Sequence, residues 1–142
     1  MINFTHRIAT LAAVGALVLA VAPTAFAGKA SGAGSTKRGG GTMTLVTLNS
    51  SDGLPHWAQD ITWQVSTTAT DRPFVAVSCT QGGSIVFNAS AGYYAGYRWD
   101  STMTLSSQAW TGGAASCTAR LYYTSSNGRE ITLNTLGFQV YD

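Results

Sequence analysis

Apolar and polar residues alternate with a period of two in several runs of the chain, and none of the residues after the first forty shows apolar side chains at helical spacing. The cleanest run is Ile61-Thr62-Trp63-Gln64-Val65-Ser66, whose odd positions form a dry face and whose even positions form a wet one. Val75, Val77 and Cys79 repeat the pattern, as do Ala115, Cys117, Ala119 and Leu121. Thr42 to Asn49 is rich in β-branched and aliphatic residues and reads as a first strand, with its inward face left open by Leu45, Val46 and Leu48.

Turn chemistry separates these runs. Asn49 to Pro55 is a cluster of turn formers ending in proline, and Thr70-Asp71-Arg72-Pro73 turns the chain again. Phe74 to Thr80 and Ser84 to Ala89 flank Gly82-Gly83 as the arms of a hairpin. Tyr97 to Ser101 and Thr102 to Ser107 suggest two short strands or one bent strand before the Thr111-Gly112-Gly113 turn. Ala115 to Tyr123 leads into Asn127-Gly128, a strong hairpin signal, and out along Arg129 to Leu133. The apolar parity then shifts from Ile131 and Leu133 to Leu136, Phe138 and Val140, which predicts a β-bulge near Asn134 or Thr135, or flexing at Gly137. Seven or eight short strands divided by such turns predict an all-β protein, a single antiparallel β-sandwich.

Both cysteines lie on the dry parity of their strands, so both thiols face one interior and a Cys79–Cys117 disulfide is expected to clamp the core. There is no Cys-x-x-Cys, and His56 stands alone after the leader, so neither a redox pair nor a tetrahedral metal site is expected. Disulfides persist in oxidising compartments, and the start of the chain agrees with export. Residues 1–7 carry one positive charge, Ile8 to Ala22 is an apolar run of 15 residues, and Ala25-Phe26-Ala27 fits the small-x-small rule for signal peptidase. Residues 1–27 therefore read as a signal peptide of bacterial type, cleaved after Ala27. No later segment is apolar enough for stable membrane insertion.

Residues 28–41 contain only small and basic side chains and read as a disordered linker rich in Gly, Ser and Lys. Their charge changes the meaning of the composition. The whole chain is formally +2, but four of its eight cations, Arg7, Lys29, Lys37 and Arg38, precede residue 42. Residues 42–142 keep Arg72, Arg98, Arg120 and Arg129 against six carboxylates, a balance of 4 minus 6, or −2. A nucleic-acid partner is not expected of such a surface.

Cys79, a mid-domain Trp99 and Cys117 in Ser116-Cys117-Thr118-Ala119 resemble the Cys, Trp, Cys arrangement of immunoglobulin-like domains. The interval between the cysteines is shorter than in antibody domains, and Ala115 stands where those domains carry tyrosine. The resemblance implies a sandwich whose bridge joins the sheets beside a tryptophan. An Ala-rich leader before a body rich in Gly, Ser and Thr is also similar to small exported bacterial proteins. Asn49-Ser50-Ser51 and Asn88-Ala89-Ser90 spell glycosylation sequons, to which such an origin assigns no sugar.

Candidate chemistry is sparse. No Gly-x-Ser-x-Gly occurs, and Gly39-Gly40-Gly41 lacks the Lys-Ser/Thr of a phosphate loop, so neither an enzyme nor a bound cofactor is expected. Aromatic residues are in excess, with four Trp and six Tyr. Alternation puts Trp63, Trp99 and Tyr123 inside and Tyr122 with Arg120 outside, while Tyr93, Tyr94 and Trp110 lie in or beside Gly-rich loops. The candidate binding surface is therefore Tyr93, Tyr94, Tyr97, Trp110, Arg120 and Tyr122, rings that offer flat apolar area with a polar handle. The expected function is a non-catalytic secreted or cell-surface domain that contacts an extracellular protein or glycan. Two alternatives stand beside it: a carbohydrate-binding module using these aromatics with Arg98 and Asp100, and a structural subunit that lends Thr42–Asn49 to a neighbour's sheet edge.

Overall fold

The computed structural model describes residues 40–142; the signal-peptide and most of the linker reading lie outside the described residues. Seven strands form: β1 (Gly41–Thr47), β2 (Asp60–Thr67), β3 (Phe74–Gln81), β4 (Ser84–Gly92), β5 (Met103–Thr104), β6 (Ala115–Thr124) and β7 (Glu130–Val140). There is no helix among the described residues. They build two antiparallel sheets, one ordered β1-β2-β5 and one ordered β4-β3-β6-β7.

The buried faces are those that alternation selects. Met43, Ile61, Trp63 and Met103 come from the first sheet, and Val75, Val77, Ala119, Leu121, Leu136 and Val140 from the second. The sheets touch at Trp63, whose ring meets Phe138 edge-on with centroids 5.8 Å apart. Tyr97 to Ser101 is not a strand, and the two-residue β5 is all that forms between Gly92 and Ala115. Asp100 explains part of this: its carboxylate accepts the Thr102 amide at 2.8 Å, closing a local turn that competes with sheet pairing.

The disulfide between Cys79 and Cys117 is present, and its placement differs from the immunoglobulin pattern. The two residues are register partners on the neighbouring strands β3 and β6, with Cα atoms 4.0 Å apart. Such closeness marks the narrow pair position of an antiparallel ladder, where side chains approach most nearly. The bridge therefore fastens two strands of one sheet. In the same cross-strand row Phe87 of β4 lies beside Cys79 and Phe138 of β7 lies beside Cys117. Phe87 meets Trp110 at 6.3 Å, and Phe138 meets Trp63, so the sulfurs sit mid-row in an apolar line bounded by two tryptophans.

Two irregularities make this row possible. Leu121 pairs with Asn134 and Tyr122 with Thr132, so Leu133 is the extra residue of a bulge, and it turns inward to 1% exposure. That is the parity change visible in the sequence. A second shift between Cys79 and Thr80 makes Val86 the extra residue, which lets Val86 and Phe87 both be buried. At the far hairpin, the Ser125 amide bonds to the Arg129 carbonyl at 2.8 Å, leaving Ser126-Asn127-Gly128 as a three-residue loop with Gly128 at φ 77°.

Closing a loop of 38 residues removes about 4 kcal/mol of unfolded-chain freedom in the chain-entropy treatment, of which engineered bridges often deliver less. Replacing both cysteines by serine is expected to lower the unfolding free energy by about 2 to 4 kcal/mol in urea titration, with the all-β circular dichroism retained. The two core tryptophans should separate in a second test. Trp110 donates its indole N–H to the Gly113 carbonyl at 3.0 Å, whereas the Trp63 N–H has no partner. Trp110→Phe should therefore cost about 1 kcal/mol more than Trp63→Phe in the same titration, the size of one buried hydrogen bond.

Candidate functional site

The face of the second sheet that points away from the core is built by the complementary parity. On β3 it carries Phe74, Ala76 and Ser78; on β4, Gly92, Ser90 and Asn88; on β6, Tyr122, Arg120 and Thr118. Each set forms a row across the strands, and rows on one face of a sheet recur every ~7 Å along it. The first row is aromatic. Phe74 and Tyr122 are register partners with ring centroids 5.8 Å apart. Their third neighbour is Gly92, and the missing side chain is filled by two rings from the following loop.

Tyr94 and Tyr97 fold back over Gly92. A Cβ on Gly92 would lie 2.5 Å from Tyr97 Cδ2 and 2.6 Å from Tyr94 Cε1, so no larger residue allows this contact unless the rings move. Tyr94 meets Phe74 edge-on at 5.6 Å, Tyr97 meets Phe74 at 6.1 Å, and the two tyrosines meet each other at 5.4 Å. Trp99 then stands against Tyr97 at 5.4 Å with 72% of its surface exposed. An indole so placed leaves on the order of 150 Å² in water, and covering it would yield on the order of 3 kcal/mol.

The next row supplies charge. The Arg120 guanidinium lies 4.3 Å from the Tyr122 ring centroid, a cation–π arrangement, and Nη2 donates to Glu130 Oε2 at 2.6 Å. Tyr122 is thereby covered by Phe74 and Arg120 and falls to 9% exposure, while its hydroxyl stays within 3.0 Å of Ser90 Oγ. Arg120 and Glu130 neutralise each other, so this face carries no net charge at its centre.

The sequence-derived candidates divide accordingly. Tyr94, Tyr97, Arg120 and Tyr122 come together on one face. Tyr93, their neighbour in sequence, points the other way: it packs on the core and donates its hydroxyl to the Ser101 carbonyl at 2.7 Å, and burial pushes its pKa up to about 12. Trp110 is not a surface residue; it is 1% exposed, and its carbonyl accepts the Trp57 indole N–H at 3.1 Å. Trp99, expected inside, is the most exposed large apolar residue described. The reason is that no strand forms at Tyr97–Ser101, so alternation has no meaning there. Phe74 joins this face, and its parity, opposite to Val75, Val77 and Cys79, is the sequence signal that places it outward.

A second polar cluster lies among the loops. His56 Nδ1 is 2.9 Å from the Asp142 main-chain oxygen and Nε2 is 3.1 Å from Asp52 Oδ2. Asp52 Oδ1 also accepts the Ser50 hydroxyl at 2.7 Å and the Leu54 amide at 3.0 Å. Serine thus bonds to the aspartate and not to the imidazole, and both imidazole nitrogens face oxygens, which suits a doubly protonated ring. The cluster ties the loop before β2 to the residues after β7. No group of three or more metal-ligating side chains is found among the described residues.

Comparison with known protein families, curated proteins and solved structures finds no match to this chain.

The His56 tie has a pH signature. Hydrogen bonds to the Asp142 oxygen, and then to Asp52, raise the His56 pKa above 6.5. Its contribution is therefore complete below pH 6.5 and is lost as pH rises through the raised value. Asp52 is held well below its ordinary 3.8 by the Leu54 amide, then by Ser50 and His56, so its contribution is present above pH 3.8 and disappears as pH falls through the lowered value. Amide exchange at Leu54 and Tyr141 should be slowest between pH 3.8 and 6.5 after correction for intrinsic rates, and His56→Gln should remove the rise above 6.5.

Proposed function

We propose that this chain is a non-catalytic secreted or cell-surface domain of immunoglobulin-like type whose outer aromatic face contacts an extracellular partner. The strand orders support the fold assignment. Immunoglobulin constant domains set strands A, B, E and D in one sheet and C, F and G in the other. Here β1-β2-β5 corresponds to A-B-E and β3-β6-β7 to C-F-G, with β4 added beside the C equivalent and no D equivalent among the described residues. The cysteines then occupy C and F in place of B and F, which is why their interval is short. The disulfide agrees with an exported protein.

The observation that carries the function is Trp99, exposed in continuity with Tyr97, Tyr94, Phe74 and Tyr122. A lone surface tryptophan is ordinary, but one that continues a packed ring cluster extends a preformed apolar surface, so a partner that covers it can meet Tyr97 as well. The donated-strand alternative finds less support: β1 is paired with β2 at every residue from Gly41 to Thr47, so lending it would first require breaking that ladder.

Trp99→Ala should leave the melting temperature within about 2 °C of the parent, since it removes little buried surface. The same change should lower adhesion of the labelled mature protein to the surface of the cells that export it by at least about tenfold. Gly92→Ala, which displaces Tyr94 and Tyr97, should lower adhesion similarly and also change the near-ultraviolet circular dichroism. Undiminished adhesion of the Trp99→Ala protein would exclude this face as the contact.

A further inference from the structure

Resting on that reading, we propose that the outer face of the second sheet is a binding platform for an uncharged polysaccharide, with Trp99 and Tyr97 as the stacking end and the hydroxyl and amide rows as the rest of the track. Three observations select this occupant.

The first is composition beyond the aromatic row. Passing along the strands from Phe74 and Tyr122, the face continues through Ser90, Ala76, Arg120 and Thr135, and then through Asn88, Ser78, Thr118 and Gly137. Ser90, Asn88, Thr118 and Thr135 are exposed. Protein contacts with hot spots are centred on a dry apolar core with a polar rim. This face has its rings at one end, the paired Arg120 with Ser90 and Thr135 across its middle and Asn88, Ser78 and Thr118 beyond, so no dry core lies at its centre. A polyhydroxylated chain suits it, because each sugar offers an apolar C–H face to a ring and hydroxyls to groups that both donate and accept.

The second is charge. Arg120 is neutralised by Glu130, and the rows beyond it are uncharged. On the strand rows an anionic polymer finds no free cation, and a cationic one finds no free carboxylate. On the loop, Arg98 and Asp100 flank Trp99, and neither takes part in an ion pair among the described residues. The Asp100 carboxyl is held in the charged form, first by the Thr102 amide at 2.8 Å and then by the Thr102 side chain. Arg98 and Asp100 precede and follow Trp99 in the chain and their charges cancel, so this end of the face carries no net charge that would select an ionic polymer.

The third is order. Gly92 allows Tyr94 and Tyr97 to pack directly on the sheet, and Phe74, Tyr94 and Tyr97 each touch at least two other rings, so the base against which Trp99 stands exists before any ligand arrives. Preformed rings and a rigid sheet are the features that let weak individual sugar contacts sum.

The test is affinity electrophoresis of the mature protein in gels containing soluble neutral polysaccharides (xyloglucan, galactomannan, a β-1,3-glucan) and anionic alginate, with co-sedimentation on cellulose and chitin. Retardation by at least one neutral polymer is expected, unchanged between about 50 mM and about 500 mM salt because no net charge is matched. Trp99→Ala should weaken it at least about tenfold with the melting temperature preserved. Thr118→Val, on the polar row away from the rings, should weaken it by a smaller factor. Absence of retention on every neutral polymer, retention by alginate alone that fades with salt, or equal retention of the parent and Trp99→Ala proteins would overturn the proposal. The adhesion assay separates this failure from that of the broader reading. Trp99-dependent adhesion abolished by periodate oxidation of the cells supports the glycan. Adhesion that survives periodate but is lost on protease treatment removes the glycan and keeps the contact face.

Discussion

The row Phe87, Cys79, Cys117, Phe138 is the constraint on which the architecture depends. It crosses all four strands of the larger sheet and fixes its two central members, β3 and β6, although 38 residues separate them in sequence. Non-local pairing of this kind carries a loop-closure cost before any contact is gained, and a covalent link removes much of that cost from the unfolded chain. The phenylalanines extend the link sideways, each to a tryptophan, so that β2 is engaged through Trp63 and the loop before β6 through Trp110. In immunoglobulin domains the bridge itself spans the sheets. Here the sulfur fastens one sheet, and aromatic edges provide the contact between layers.

The outer face follows from the inner one. With a side-chain period of two, placing Val75, Val77 and Cys79 inward obliges Phe74, Ala76 and Ser78 to point outward, and the same register places Tyr122 and Arg120 beside them. The β7 bulge keeps this arrangement from failing at its far end. By absorbing Leu133, it allows both the Glu130–Thr132 segment, which holds Arg120, and the Leu136–Val140 segment, which fills the core, to satisfy their own faces. The core and the candidate contact surface are therefore two consequences of one register. A slip by a single residue would exchange them.

The loops add what the strands do not. Tyr94, Tyr97 and Trp99 are laid over the sheet by a segment without regular pairing, held at one end by the Tyr93 hydroxyl on the Ser101 carbonyl and by Ser101 Oγ on the Gly92 carbonyl. Tyr93 thus acts as a peg that faces the core so that its neighbour can face outward. At the other pole, His56 and Asp52 tie the loop before β2 to the end of β7. Polar side chains fix both connections, while apolar burial holds the strands between them.

Period-two alternation, glycine turns and the placement of two cysteines on the dry parity were sufficient in the sequence for the all-β class, the disulfide, most strand spans and the bulge near Asn134, because each is a local consequence of backbone geometry. The candidate contact face was partly legible: Tyr122 and Arg120 by parity, Tyr94 and Tyr97 by their glycine-rich setting. What alternation cannot report is which strands become neighbours, and so it could not show that Cys79 and Cys117 lie within one sheet. Nor does it apply where no strand forms, which is why Trp99 and Trp110 exchanged places between interior and surface. Only the tertiary structure decides such positions, because a side chain in a loop goes where the packed strands leave room for it. Trp110 fills the space beside Phe87, and Trp99 is left with Tyr97 and water.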